Sequence, residues 1–256
     1  MDTTILCTTD NSLDEGLARV CREWLLKATN GHPIISVSQK PIDLGENICV
    51  GDIGRSWLSL HRQLLAGLKK VKTRYVAIAE HDCVYSEEHF QWVPPRDDVF
   101  YYNNNMWLLQ WKGTKPEFNG MYSYWPNRYA LSQLVCNNDL LLRTIDRRLN
   151  VIDKDRGLMK ELQHVGEPGI TEYKMKRVQR YAANGSHVYL RPMLKDFVEH
   201  LENEKAEMFR TKVPNLDIRH NGNFTGPKRG KNRRWELPPW GTLEDVLDVR
   251  VSVKVE

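Results

Sequence analysis

Glu80 and Asp82 stand two residues apart, directly after the uncharged run from Tyr75 to Ala79. A short apolar run of this kind reads as a buried strand. Side chains alternate along a strand, so the two carboxylates point the same way. The carboxyl end of a strand is also where open α/β sheets form their ligand crevice. Two hard oxygen donors on one face suit Mg²⁺ or Mn²⁺, which bind through one or two carboxylates plus the phosphates of a substrate. The same spacing also describes an ordinary strand end with two solvated acids, so the surrounding elements must decide.

Those elements alternate in type. Thr3 to Thr8 reads as a first strand, ending in the small polar turn Thr8-Thr9-Asp10-Asn11. Ser12-Leu-Asp-Glu15 has the form of a capping box, followed at helical spacing by Leu13, Leu17, Val20, Trp24 and Ala28, with Asn30-Gly31 as the stop. Pro33 to Ser38 reads as a second strand and residues 39 to 55 as a loop. A helix from Trp57 to Lys70 leads into the strand that ends at Glu80. Strand, helix, strand, loop, helix, strand is the order of a parallel α/β sheet.

Beyond Asp82 the pattern changes. Val99 to Asn103 and Met106 to Trp111 read as strands joined by an Asn-rich turn, and residues 112 to 128 as an aromatic loop. Helices are expected from Asn138 through Leu149, from Ile170 to Ala183, and, highly charged, from Lys195 to Phe209. Short strands are expected at Val188 to Leu190 and Leu216 to His220, with a Gly-, Lys- and Arg-rich tail beyond. The expectation is one domain over residues 1–225 and a basic C-terminal extension over 226–256.

Composition narrows the class. The chain has 256 residues, 41% hydrophobic and 27% charged, which supports a packed core and argues against general disorder. No apolar run approaches the roughly 20 residues of a membrane span. Met1-Asp-Thr-Thr-Ile lacks the basic start and apolar core of a signal peptide, so a cytoplasmic location is expected. The five cysteines, Cys7, Cys21, Cys49, Cys83 and Cys136, contain no Cys-x-x-Cys pair. That excludes a cysteine zinc motif and a disulfide framework from the reading. A net charge of +4 permits a polyanionic partner without requiring one.

In its order of elements the chain resembles the GT-A fold of nucleotide-sugar-dependent glycosyltransferases, of the family 2 type, over roughly residues 3 to 225. Glu80-His81-Asp82 looks like a variant of the family's Asp-x-Asp motif, with Glu in place of the first Asp. The resemblance implies an α/β fold with a mostly parallel central sheet and a smaller acceptor-side sheet. It implies a nucleotide-sugar donor and a divalent metal, Mn²⁺ or Mg²⁺. Thr8, Thr9, Asp10 and Asn11 then stand where the family holds its nucleotide, although turn and cap chemistry explains them equally. Arg55 and Glu80 join them as donor-binding candidates. Asp82 becomes the first metal ligand, with Glu80 assisting and His220 as a late nitrogen ligand.

An inverting transferase also needs a general base on the acceptor hydroxyl. Glu167, beside the turn-forming Pro168-Gly169, is the first choice and Glu172 the second. Tyr122, Tyr124 and Trp125 can stack on a sugar or base, or can simply be core. The tail from Gly226 to Trp235, with Lys228, Arg229, Lys231, Arg233 and Arg234, can close over a diphosphate, face solvent, or attract a nucleic-acid acceptor. One version of the last is a sugar moved onto a hydroxylated base in DNA. Two alternatives stay open: a nucleotidyltransferase and a non-catalytic nucleic-acid-binding protein. The first usually carries a Gly-rich basic loop after its first strand, which Thr8-Thr9-Asp10-Asn11 is not.

Overall fold

The computed structural model describes residues 2–112, 115–126, 129–154, 167–170, 199–201, 203–223 and 230–249. The elements expected at Ile170–Ala183 and at Val188–Leu190, together with Glu172, lie outside these residues, as do Lys228 and Arg229.

Seven strands form the larger sheet. In chain order they are β1 (Thr3–Thr9), β2 (Ile34–Ser38), β3 (Glu46–Cys49), β4 (Tyr75–Glu80), β6 (Val99–Asn103), β9 (Leu134–Asn137) and β10 (Lys205–Phe209). Their spatial order is β10-β6-β9-β4-β1-β2-β3. Among these pairings only those of β9, with β4 and β6, are antiparallel. Both faces of this sheet are covered, which is why its central strands are apolar throughout rather than alternating. One side, with Leu6, Val37, Val76 and Ile78, packs on α2 (Trp57–Leu68) and α4 (Asn138–Lys154). The other, with Ile5, Ala77, Ala79 and Val99, packs on α1 (Glu15–Ala28) and α3 (Glu87–Gln91). Gly67 lets α2 approach closely: a Cβ there would lie 2.3 Å from Leu6 Cδ1 and 2.9 Å from Val37 Cγ2.

The smaller sheet has the order β12-β8-β7-β11-β5, from β5 (Cys83–Val84), β7 (Met106–Gln110), β8 (Tyr122–Tyr124), β11 (Asn215–Arg219) and β12 (Lys231–Arg234). Its apolar face, including Trp107, Leu109, Leu216 and Ile218, packs on the outer side of α1 and on α5 (Leu243–Leu247). Trp24 seals this layer, edge-on to Trp240 at 5.3 Å and donating Nε1–H to Val246 O at 2.8 Å. Residue 225, the expected domain end, therefore falls just before a strand of the small sheet, and Leu237, Trp240 and Val246 belong to the same core.

The structure differs from the sequence reading in several places. Strands β6 and β7 do not pair as a hairpin; the chain passes from one sheet to the other at Asn103–Asn105. Buried Asn103 and Asn105 pair with Thr211 there, at 2.9 and 3.0 Å, satisfying polar groups that no ladder reaches. The helix expected to run to Phe209 gives way to β10, whose exposure alternates as an edge strand requires. The loop at 39 to 55 contains β3, parallel to β2. The cap of α1 is Asp14, which accepts from Leu17 N, while Ser12 closes a local turn on Asp10. A charged carboxylate outcompetes a hydroxyl for both roles.

Candidate active site

Strands β1 and β4 lie side by side in parallel, with Thr8 opposite Glu80, so their carboxyl ends open into one crevice. Directly after Glu80 the chain crosses to the small sheet, where Asp82 O accepts from Ile218 N of β11 at 2.8 Å. The acidic pair thus sits at the seam of the two sheets. A cleft of roughly 380 Å³ opens over this seam, within the range of small-molecule sites. Thr8, Thr9, Asp10, Arg55, Glu80, Asp82, Trp125 and Glu167 all line it.

Each side chain is held. Asp10 accepts from Ser12 N and Oγ at 2.9 and 2.6 Å and pairs with Arg55 Nε at 2.6 Å. Burial works to raise its carboxyl, but the Ser12 hydrogen bonds and the charges of His81 and Arg55 prevail and hold it below the usual range. Arg55 also donates to Gly222 O, bridging the β1 turn to the loop after β11. Thr9 Oγ1 lies 2.6 Å from His81 Nδ1. From α2, Gln63 donates to Thr9 O and Val37 O at 2.7 and 3.1 Å, tying together the ends of β1 and β2.

Asp82 is nearly buried, and burial alone would raise its carboxyl. The neighbouring His220 ring, 3.6 Å away, and the charges of His81 and Arg219 overcome that effect and keep it ionised. Asn223 Nδ2 donates to Asp82 Oδ2 at 2.7 Å, and the Cys83 thiol lies 3.8 Å from Oδ1. Glu80, Asp82 and Cys83 bring possible ligand atoms within 4.8 Å of one another. Burial, then Asp82, drives the Cys83 thiol well above its ordinary range. The two hard carboxylates of the group are donors that fit Mg²⁺ or Mn²⁺.

His220, just after β11, stands beside Asp82. Its Nδ1 accepts from Gly222 N at 3.1 Å, and its Nε2 faces Asp82 Oδ2 at 3.6 Å. That buried nitrogen has no hydrogen-bond partner among the described residues. Asn11 is turned away from the cleft: at φ 58° its Oδ1 accepts from Gln39 N and Lys40 N, both at 2.8 Å. Tyr122 is fully buried in the core against α5, its hydroxyl on Thr242 O. Tyr124 is half-buried in the small sheet, donating to Asn104 O at 3.3 Å, and only its neighbour Trp125 reaches the cleft.

Glu167 lies across the cleft from β4. It opens a tight turn in which Ile170 N donates to Glu167 O at 3.0 Å, with Pro168 second and Gly169 third at φ 79°. This is the type II turn that Pro-Gly favours. A Cβ on Gly169 would come within 2.8 Å of Ala206 Cβ. Tyr102 donates to Pro168 O at 2.8 Å, and buried Glu204 accepts from Gly169 N at 3.0 Å while pairing with Arg148 at 3.6 Å.

Several cleft residues escaped the sequence reading. Asp217 and Arg219, two apart on β11 and 3.3 Å from each other, both face the cleft and are both nearly buried. The Asp-x-Arg alternation in a strand was a signal available for them. Trp57 and His61 of α2 stack at 3.6 Å along the wall. Burial, then Arg148, pushes the His61 ring down to about 3.

No protein-family model matches the chain, and no curated protein matches it. Among solved structures it is similar to the glycosyltransferase GlyE of Streptococcus pneumoniae TIGR4, with a TM-score of 0.42 and 10% identity, over 80% of this chain and 44% of that one. It is also similar to a glycosyltransferase involved in glycosylation of the major capsid of PBCV-1, with a TM-score of 0.35 and 10% identity, over 60% of this chain and 68% of that one. A third similarity is to the bifunctional IspDF from Campylobacter jejuni, with a TM-score of 0.37 and 12% identity, over 57% of this chain and 43% of that one. The chain thus spans less than half the length of the GlyE and IspDF chains it matches.

Proposed function

We propose that the protein is a metal-dependent glycosyltransferase that moves a sugar from a nucleotide sugar to an acceptor hydroxyl. The observation that carries this reading is the Glu80–Asp82 pair: two carboxylates at a strand end, converging where they line a cleft. Asp82 and Glu80 would hold Mg²⁺ or Mn²⁺. When bound, such an ion supplies a Lewis acid that offsets charge growing on a leaving diphosphate.

The chain's own residues supply the rest. Arg55, with Asp10 and Gly222 fixing its head, and Arg219, beside Asp217, place two guanidiniums over the cleft to meet phosphate oxygens. Thr8, Thr9 and Asp10 offer hydroxyls and a carboxylate to the ribose or base. Trp125 offers its ring to the sugar or the acceptor. Glu167 accepts the proton of the acceptor hydroxyl as that oxygen bonds to the anomeric carbon and the bond from that carbon to the diphosphate oxygen breaks. The turn after β1 contains neither glycine nor a basic residue, which disfavours the nucleotidyltransferase alternative.

Thermal shift with a panel of nucleoside diphosphates, with and without Mn²⁺, tests the reading. A ligand that binds only the folded state raises the melting temperature by mass action. One nucleotide should stabilise the protein only with Mn²⁺, and Asp82→Ala should remove that shift. A shift that survives in Asp82→Ala, or none with any nucleotide, rejects the assignment.

A further inference from the structure

We propose that the acceptor is a single-stranded nucleic acid lying along the free edge of the small sheet; this rests on the glycosyl-transfer reading and names its acceptor class. β12 is the outer strand of that sheet, and Lys231, Asn232, Arg233 and Arg234 are all exposed. A bulge interrupts the strand, with Asn232 at φ 51° and the register shifting between Lys231 and Arg234. Arg233 lies 5.5 Å from the Phe118 ring, which Lys115 also approaches at 5.6 Å. Arg234 lies 4.6 Å from the Trp107 ring. Trp107 packs 5.4 Å from Tyr124, and Arg210 stands 5.7 Å over that ring. Trp235, 57% exposed, continues the row.

A charged edge strand has a simpler use, which is to prevent edge-to-edge pairing. That use calls neither for guanidiniums seated on aromatic rings nor for a large exposed tryptophan. It also does not explain Arg210 and Lys115, which come from other segments. Cations for phosphates combined with aromatic faces for bases is how single strands are bound without regard to sequence. The patch also adjoins the cleft: Lys231 pairs with Tyr124 across the sheet, and the next residue, Trp125, lines the cleft wall.

Fluorescence anisotropy of a labelled oligothymidylate across a salt series tests this. The triple variant Lys231→Gln, Arg233→Gln, Arg234→Gln should bind at least about tenfold more weakly, with the slope of log K against log salt reduced by about two. Trp235→Ala should weaken binding several-fold and leave that slope unchanged, because stacking releases no counterions. Unchanged affinity in the triple variant, or heparin binding as tightly as the oligonucleotide, overturns the proposal. The Mn²⁺-dependent nucleotide shift, measured on the same proteins, separates the two readings. Its retention in a triple variant that has lost the oligonucleotide supports the placement. If the wild type shows no nucleotide shift but binds the oligonucleotide, glycosyl transfer fails and the acceptor assignment falls with it, while the binding surface stands.

Discussion

The two walls of the cleft are built in different ways. On the large-sheet side, Thr8, Thr9, Asp10, Glu80 and Asp82 follow directly on buried strands paired on both edges, so their backbone is set before any side chain is considered. On the other side, Asp217 and Arg219 stand on β11, but Trp125, Glu167 and Asn223 come from segments distant in sequence, held by side-chain hydrogen bonds and one Pro-Gly turn. A metal site tolerates little misplacement and belongs on strand ends, whereas groups that meet a variable substrate belong on loops carried by a rigid frame.

Replacing Asp82 tests the rigid wall and should give the largest effect. Asp82→Asn keeps the volume and leaves the Asp82 O to Ile218 N bond in place, while removing the charge. Turnover should fall by about a thousandfold or more, the scale expected when electrostatic stabilisation of a leaving group is lost. The melting temperature should change little. Turnover within tenfold of the wild type would mean that the strand-end pair is not the chemical centre, and the contrast between the walls would lose its meaning.

Glu167→Gln tests the opposite wall. Proton transfer by a positioned carboxylate contributes about a hundredfold to ten-thousandfold, so kcat should drop by at least about a hundredfold, with the Mn²⁺-dependent nucleotide shift intact. Equal loss of nucleotide binding and of rate would make Glu167 a binding residue. Its turn needs Gly169 at φ 79° and a carboxylate at Glu204, so Gly169→Ala should reproduce part of the kcat loss without touching the charge of Glu167.

Acid should separate the two sheets as well. His61 on α2 and His89 on α3 flank the large sheet, and burial pushes each ring down to about 3, with Arg148 adding to the effect at His61. Above the ordinary value near 6.5 both states are neutral and stability is unaffected. As pH falls from there towards 3, the unfolded chain binds two protons that the folded chain refuses, so stability is lost at up to about 2.7 kcal/mol per pH unit. Urea unfolding at pH 7.5 and pH 5 should show this slope, and His89→Phe, in a cage of Tyr85, Phe90 and Phe209, should remove about half of it. An unchanged slope would place the acid-sensitive groups elsewhere.

The rigid wall was also the legible one. The uncharged run before Glu80 and the i, i+2 spacing of the acids are local facts, and they suffice to put both acids at the end of β4 beside a cleft. Pro168-Gly169 likewise announced its turn. Asp217 and Arg219 of the other wall were hidden because they acquire meaning only when β7 and β11 pair in parallel, bringing residues 106–110 beside 215–219. Tyr122 shows the same limit: its aromatic neighbours in sequence suggested a stacking surface, but strand alternation and the arrival of α5 placed it in the core. The stretch Lys205–Phe209 follows charged residues with helical composition, and its position beside β6 overrides that propensity.

The smallest effect addresses whether the C-terminal segment belongs to the folded body. Thr242 caps α5 through Asp245 N while Asp245 answers with Thr242 N at 2.8 Å, and the helix lays Leu243 and Val246 against Trp24 and the small sheet. Thr242→Ala removes one side of this box and should cost about 1 kcal/mol. If residues 230–249 are integral to the small sheet, that loss should appear as a lower midpoint of the whole unfolding transition, with the m-value unchanged. If they formed an independent extension, the main transition would not move and a separate early one would appear. The packing of Trp24 against Trp240 favours the first outcome, because α1 shares one continuous core with this segment and also covers the large sheet.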